Sequence, residues 1–425
     1  MTAVVFTMSL LGAMALGMPI AIALLVCAAV LMVSQGQIDT TIMSQKLIEG
    51  ADSFPLLAIP FFLLAGELMN AGGLSKRIVN FALAWVGHIR GGLGLVAIFA
   101  AVVMAAISGS AAADTAALGT LLIPMMRQAG YNVPRASGLI AAGGVIAPVI
   151  PPSIGLIVFG VIANVSIGKL FLAGVFPGLM MGLSLVLTWV WVARKDRVTV
   201  LPRQALPARL RAGFDGLWAL LMPLGIIGGL KFGVFTPTEA GVAACVYAFV
   251  VGTFVYRELR WSQLYGLLVS AAKTTAVVVF LIAAALVSAW LITTSDVPNQ
   301  VASLLEPFIA YPILLMLVMM VLVVVIGTAL DFAPTLMILT PVLMPLVKQA
   351  GIDPVYFGVL FIMNLAIGLI TPPVGIVLNV ICGISKISMS ELMKGLWPFL
   401  LAELIVLLLL VLFPSLVMVP LKWLM

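Results

Sequence analysis

Long apolar segments alternate with short polar joints along the whole chain. The apolar segments fall at about 3–33, 54–70, 92–126, 136–163, 170–193, 217–233, 238–256, 262–292, 308–347, 354–381 and 396–420. A helix crosses the roughly 30 Å hydrocarbon layer with about 20 apolar residues. Residues 301–326 and 400–420 lack the period-two alternation of a barrel strand. The pattern predicts an all-α polytopic membrane protein.

Two segments are too long for one crossing and carry small polar interruptions. Ser108-Gly109-Ser110 interrupts 92–126, and Gly327-Thr328-Ala329-Leu330-Asp331 interrupts 308–347. Each reads as a re-entrant helical hairpin, because non-helical backbone at that depth must be covered by protein or reached by water. Two further segments hold proline pairs, Pro151-Pro152 in 136–163 and Pro372-Pro373 in 354–381. Proline removes a donor and clashes with the preceding turn, so both read as broken helices.

These features repeat at a spacing of 221 residues. Pro124, Arg127, Gln128 and Gly130 correspond to Pro345, Lys348, Gln349 and Gly351, and Pro151-Pro152 to Pro372-Pro373. The chain divides into a first repeat at 1–193, a basic loop at 194–216, a joining helix at 217–237 and a second repeat at 238–425. Interrupted apolar segments at matched positions in two halves mark the binding site of a secondary transporter.

Composition agrees: 64% of the 425 residues are hydrophobic, 8% are charged, and mean hydropathy is +1.29. The first segment lacks a basic leader and a cleavage site, so it reads as a retained span rather than a signal peptide. Cys27, Cys245 and Cys382 are widely separated, His88 is the single histidine, and no GxxxxGK[ST] occurs. An ATPase, a metal centre and an intramembrane enzyme are thereby disfavoured, and the net charge of +6 reflects orientation rather than nucleic-acid binding. Arg194, Lys195, Arg197, Arg203, Arg209 and Arg211 outweigh Asp196 and Asp215, which places the central loop in the cytoplasm. Counting outward puts the N-terminus inside and opens the two hairpins to opposite sides, making the repeats inverted. The cationic amphipathic stretch 74–88 reads as an interfacial arm, with 297–307 as its counterpart.

The breaks expose backbone carbonyls, and small hydroxyl residues lie near them. Unwound carbonyls and helix C-termini coordinate Na⁺, while helix N-termini face anionic groups. The expected cation ligands are Ser108, Gly109, Ser110, Ala147 and Pro151 in the first half, and Gly327, Thr328, Asp331, Gly368 and Thr371 in the second, with Ser288 added. The expected substrate contacts are Ser110, Ser153, Asn164, Thr328 and Asn379. Asp114 and Asp331 follow the hairpin tips, to bind a cation or to hold the tip.

Ser108-Gly109-Ser110, Ile150-Pro-Pro-Ser-Ile154, Phe171-Leu-Ala-Gly174 with Pro177-Gly178, Phe235-Thr-Pro-Thr-Glu-Ala240 and Leu369-Ile-Thr-Pro-Pro-Val-Gly375 occur in one order. With these motifs the chain resembles the large membrane subunit of tripartite ATP-independent periplasmic (TRAP) transporters along its whole length. The resemblance implies an elevator-type protein of the ion transporter superfamily in the bacterial inner membrane, importing an organic or sugar acid. It implies coupling to two or more Na⁺ ions, a separate small membrane subunit of about four helices and a soluble periplasmic substrate-binding protein. It places the cation sites where tips meet broken helices, at Ser108–Ser110 with Ala147–Ser153 and at Gly327–Asp331 with Gly368–Gly375. The alternative is a stand-alone Na⁺/dicarboxylate symporter of the same superfamily, whose Ser-Asn-Thr tip motif is absent here. Segments 3–33, 170–193, 217–256 and 396–420 are expected to form the static scaffold.

Overall fold

The computed structural model describes residues 2–34, 36, 39–194, 200–294, 307–329, 331–372 and 375–425, and the regular secondary structure among them is all helical. In order the helices are α1 (Thr2–Ala15), α2 (Ile20–Ser34), α3 (Thr40–Ala51), α4 (Ala58–Ala71), α5 (Leu74–Val86), α6 (Gly92–Ser108), α7 (Ala111–Gln128), α8 (Val133–Gly144), α9 (Ile154–Ala163) and α10 (Ile167–Ala193). They continue as α11 (Leu206–Lys231), α12 (Pro237–Val250), α13 (Trp261–Thr294), α14 (Pro312–Ala329), α15 (Phe332–Gln349), α16 (Pro354–Gly368), α17 (Ile376–Ser385), α18 (Met389–Leu412) and α19 (Ser415–Leu424). Among the described residues, seven helices are long and apolar enough to cross a membrane.

The helices are interrupted near both expected tips and at both proline pairs. Helix α6 stops at Ser108 and α7 starts at Ala111, while α14 ends at Ala329 and α15 starts at Phe332. The first proline pair lies between α8 and α9, and the second lies between α16 and α17, with Pro373 outside the described residues. The 221-residue spacing extends to the caps. Asn132 caps α8 and Asp353 caps α16, each with a proline in the first turn. Gly130 and Gly351 end the preceding helices at φ +82° and +68°, a left-handed conformation that glycine adopts without strain.

Several boundaries depart from the sequence reading. Segment 3–33 is two helices, because Gly17 takes φ +78° and Pro19 cannot continue α1. Segment 396–420 likewise breaks at Phe413-Pro414. The joining helix begins at Leu206, inside the stretch 194–216 expected as loop, since Leu206, Ala208, Leu210 and Ala212 favour helix as well as any membrane segment. The second tip is displaced: Gly327 and Thr328 are within α14, and the break follows Ala329. The arm at 74–88 is a separate helix, α5. Its expected counterpart, 297–307, falls on residues outside the description apart from Pro307.

The helices pack in two sets. In the first, α13 lies against α2, α3 and α4, α12 lies against α4, and α11 lies against α5. In the second, the hairpins and broken helices are joined by α10 and α18, which were expected in the scaffold. Helix α18 meets α8 at two glycines, where a Cβ on Gly138 would stand 2.7 Å from Leu396 Cα and one on Gly395 would collide with Pro134 O. Helix α10 is bound through buried Trp189, whose Nε1 donates to Gly91 O at 2.7 Å just ahead of α6. Within the second set, α7 packs on α17 and α15 packs on α9. Each hairpin therefore lies against the broken helix of the other repeat.

Candidate functional site

The two hairpin tips and the two helix breaks surround one cavity of about 250 Å³. Its walls include Gly109, Ser110, Pro148, Ile154, Asp331, Phe332, Leu369 and Ile376, and Val278 and Leu281 of α13 close it. Ser110 and Asp331, 221 residues apart, occupy equivalent places. Each is the N-cap of the second helix of its hairpin: Ser110 Oγ accepts from Ala113 N at 3.4 Å and Asp331 Oδ1 from Phe332 N at 2.7 Å. The N-termini of α7 and α15, with their partial positive charge, thus border the same space.

Tip and break touch in the first half. Gly109 has φ +61°, and a Cβ there would lie 2.9 Å from Pro152 O. In the second half, a Cβ on Gly368 would lie 3.5 Å from Gly327 O. Contacts also run between halves. A Cβ on Gly155 would fall 2.7 Å from the Phe332 ring, so only glycine lets the start of α15 settle on α9. At the far end of α7, Arg127 Nη2 donates to Ser385 O of α17 at 2.6 Å.

The first tip is internally bonded. Ser108 Oγ donates to Asp114 Oδ1 at 2.5 Å and accepts from Ser110 N at 3.2 Å. Asp114 is buried, with Oδ2 unpartnered among the described residues, and Thr115 beside it has an unpartnered hydroxyl. In the first break, Pro151 and Pro152 supply no N–H, so the carbonyls of Ala147 and Pro148 lack helical donors. The Ser153 hydroxyl donates to Pro148 O, and no hydrogen bond to Ala147 O occurs among the described residues. A bare carbonyl and a carboxylate oxygen are ligands suited to a hard monovalent cation.

The remaining candidates are dispersed. Ser153 is fully buried and caps α9. The Thr371 hydroxyl turns back to Ile367 O at 2.9 Å, and the Thr328 side chain lies outside the described residues. Ser288 is remote from both tips: its hydroxyl donates to Leu24 O of α2 at 3.1 Å, which makes it a packing contact of the first set. Asn379 is exposed on α17 and does not line the cavity. Asn164 caps the far end of α9 at φ +54° and borders a separate cavity with Lys46, Glu49 and Lys348.

Sequence reasoning passed over Asn364. It is fully buried on α16, donates Nδ2 to Met320 O of α14 at 2.7 Å, and leaves Oδ1 unpartnered among the described residues. A lone amide in the apolar run 355–370 was a readable signal. Elsewhere, Glu67 accepts from Ser270 of α13 at 2.9 Å and Glu239 closes a capping box with Thr236, whereas Glu403 is fully buried on α18 with both carboxylate oxygens unpartnered among the described residues.

Residues 7–416 match the family described as the tripartite ATP-independent periplasmic transporter, DctM component. The chain is 53% identical over 423 residues to the 2,3-diketo-L-gulonate TRAP transporter large permease of Escherichia coli, covering 100% of both. It is 38% identical over 405 residues to the sialic acid TRAP transporter large permease of Vibrio cholerae, covering 95% of each. Among solved structures, the YdaH transporter of Alcanivorax borkumensis superposes with a TM-score of 0.63 at 16% identity, over 88% of each chain, a likeness of fold. This chain, a transporter component and not an enzyme, belongs to the DctM family of TRAP large permeases.

Proposed function

We propose that this chain imports an organic or sugar acid across the bacterial inner membrane together with Na⁺, and that the substrate arrives on a periplasmic binding protein. The observation that carries the reading is the shared cavity, with Ser110 and Asp331 as matched caps on its two sides. Cations bind between each tip and its break, using Ala147 O, Asp114 or Asp331, and tip backbone. The substrate carboxylate then meets bound Na⁺ and the N-termini of α7 and α15 rather than an arginine. The names of the E. coli and V. cholerae relatives, which specify 2,3-diketo-L-gulonate and sialic acid, support a carboxylated sugar as substrate.

Transport follows an elevator course in this account. The set containing α6–α10 and α14–α19 carries the cavity as a rigid body past α1–α5 and α11–α13, and the inverted repeats gate opposite sides. The N-terminus is cytoplasmic, by the charge of the central loop. A separate small four-helix subunit covers the exposed apolar faces of the static set, where Leu217, Leu221 and Leu224 of α11 lie on the surface.

Reconstitution of the permease with its small subunit in vesicles, with binding protein outside, tests the reading. Uptake of a sugar acid is expected only with both an inward Na⁺ gradient and the binding protein. Equal uptake in K⁺, or without the binding protein, would contradict it.

A further inference from the structure

The cavity at the hairpin tips leaves a second built feature unused, a groove of about 340 Å³ between the arm α5 and the first half of α11. Lys76, Arg77 and Asn80 line it from α5, and Arg211 and Asp215 from α11, with Glu258 at one end. Ala208, Ala212 and Gly216 recur along one face of α11. Ala208 and Ala212 form the floor, and at Gly216 an added Cβ would stand 3.0 Å from Phe81 Cβ. The small residues bring the two helices together, and the long cations stand around the resulting depression.

One of these cations is fixed in place. Arg77 Nη1 bonds Glu258 Oε1 at 2.8 Å and Gly73 O at 3.0 Å, and its guanidinium lies 3.7 Å from the centre of the Tyr256 ring. Lys76 and Arg211 are exposed and have no ion-pair partner among the described residues. Nearby, Arg209 lies 4.6 Å from the Trp85 ring. On the face of α11 opposite the alanine floor, Leu206, Leu210 and Phe214 are exposed, Phe214 by 69%. A free anion needs the cations alone, whereas a lipid uses the cations for its headgroup and the exposed apolar face of the same helix for its acyl chains.

We propose that this groove binds the phosphate headgroup of an anionic phospholipid, with Lys76 and Arg211 as its principal cationic contacts and Asn80 as a donor. The assignment to a leaflet rests on the cytoplasmic orientation proposed above. A bound headgroup ties the arm to α11 beside Gly73, the left-handed residue (φ +77°) at which α5 begins. Arm position then depends on the charge of the surrounding lipid.

Native mass spectrometry of the purified full-length permease with graded phosphatidylglycerol or phosphatidylcholine tests this without requiring transport. Phosphatidylglycerol is expected to be retained preferentially. Lys76→Gln and Arg211→Gln should each weaken retention about fivefold, and together about thirtyfold, at roughly 1 kcal/mol per interfacial cation. Lys348→Gln, distant from the groove, should change nothing. Retention unchanged in the double variant would overturn the proposal. Displacement of the lipid by an equal concentration of inorganic phosphate would also overturn it, by assigning the groove to a free anion.

Discussion

Ser110 and Asp331 cap equivalent helices 221 residues apart and border one cavity, although one is a hydroxyl and the other a carboxylate. The two halves of the site are therefore similar in backbone and unequal in charge. Asp331 sits where the first half has Ser110, and Asp114 sits one turn further on, where the second half has Thr335. Each half thus carries one carboxylate near its tip, placed differently.

That inequality separates charge from capping. Asp331→Asn retains an N-cap acceptor and removes the charge, whereas Asp331→Ala removes both, at a cost of about 1 kcal/mol for the lost cap. Both variants should raise the Na⁺ concentration for half-maximal uptake severalfold, and only the alanine variant should also lower the thermal midpoint. A normal Na⁺ requirement in Asp331→Asn would confine Asp331 to capping.

Gly109 is held by two constraints, its left-handed φ of +61° and the 2.9 Å approach of an added Cβ to Pro152 O. Gly109→Ala should cost about 1–2 kcal/mol in backbone strain and separate the tip from the break. Uptake by reconstituted vesicles should fall at least tenfold. Gly383→Ala, with open space around the added methyl, should leave uptake unchanged.

Ser108→Ala removes the described hydrogen bond to the buried Asp114 carboxyl. Leaving that group unpaired costs about 1–3 kcal/mol. The thermal midpoint should drop by several degrees in Ser108→Ala and recover in part in the double variant Ser108→Ala, Asp114→Asn, because an amide is less costly to bury than a carboxylate. Equal midpoints for all three proteins would mean that the bond does not stabilise the tip.

Arg127 and Lys348 are repeat equivalents with different surroundings. Arg127 bonds Ser385 O at 2.6 Å across the repeats, whereas Lys348 lines an open cavity with Asn164. Arg127→Gln should destabilise the purified protein by about 1.5–3 kcal/mol, the scale of a charged hydrogen bond, and Lys348→Gln by less than half of that. Thermal unfolding in detergent gives the comparison directly.

The hairpins, the breaks and the repeat were legible because each puts polar residues or prolines where an uninterrupted apolar run is otherwise required. Ser108–Ser110 and Pro151-Pro152 carry that signal openly. Long-range packing carried no such signal. Nothing local in Ser288 announces that its hydroxyl meets Leu24, 264 residues away. Similarly, Gly138 and Gly395 bind α18 to the hairpin set through a contact only the folded chain brings together. The start of α11 was missed for another reason: Arg209 and Arg211 mark a cytoplasmic surface equally well as loop or as helix.

The central claim, one site built from both repeats, is tested most directly at Ala112 and Ala333, which line the cavity from opposite hairpins. Single cysteines are placed at Ala112 or Ala333 after replacement of Cys27, Cys245 and Cys382, and labelled with a membrane-impermeant thiol reagent in reconstituted vesicles. Na⁺ and substrate together should slow labelling at both positions by the same severalfold factor. Protection at one position alone, or at neither, would contradict a shared site.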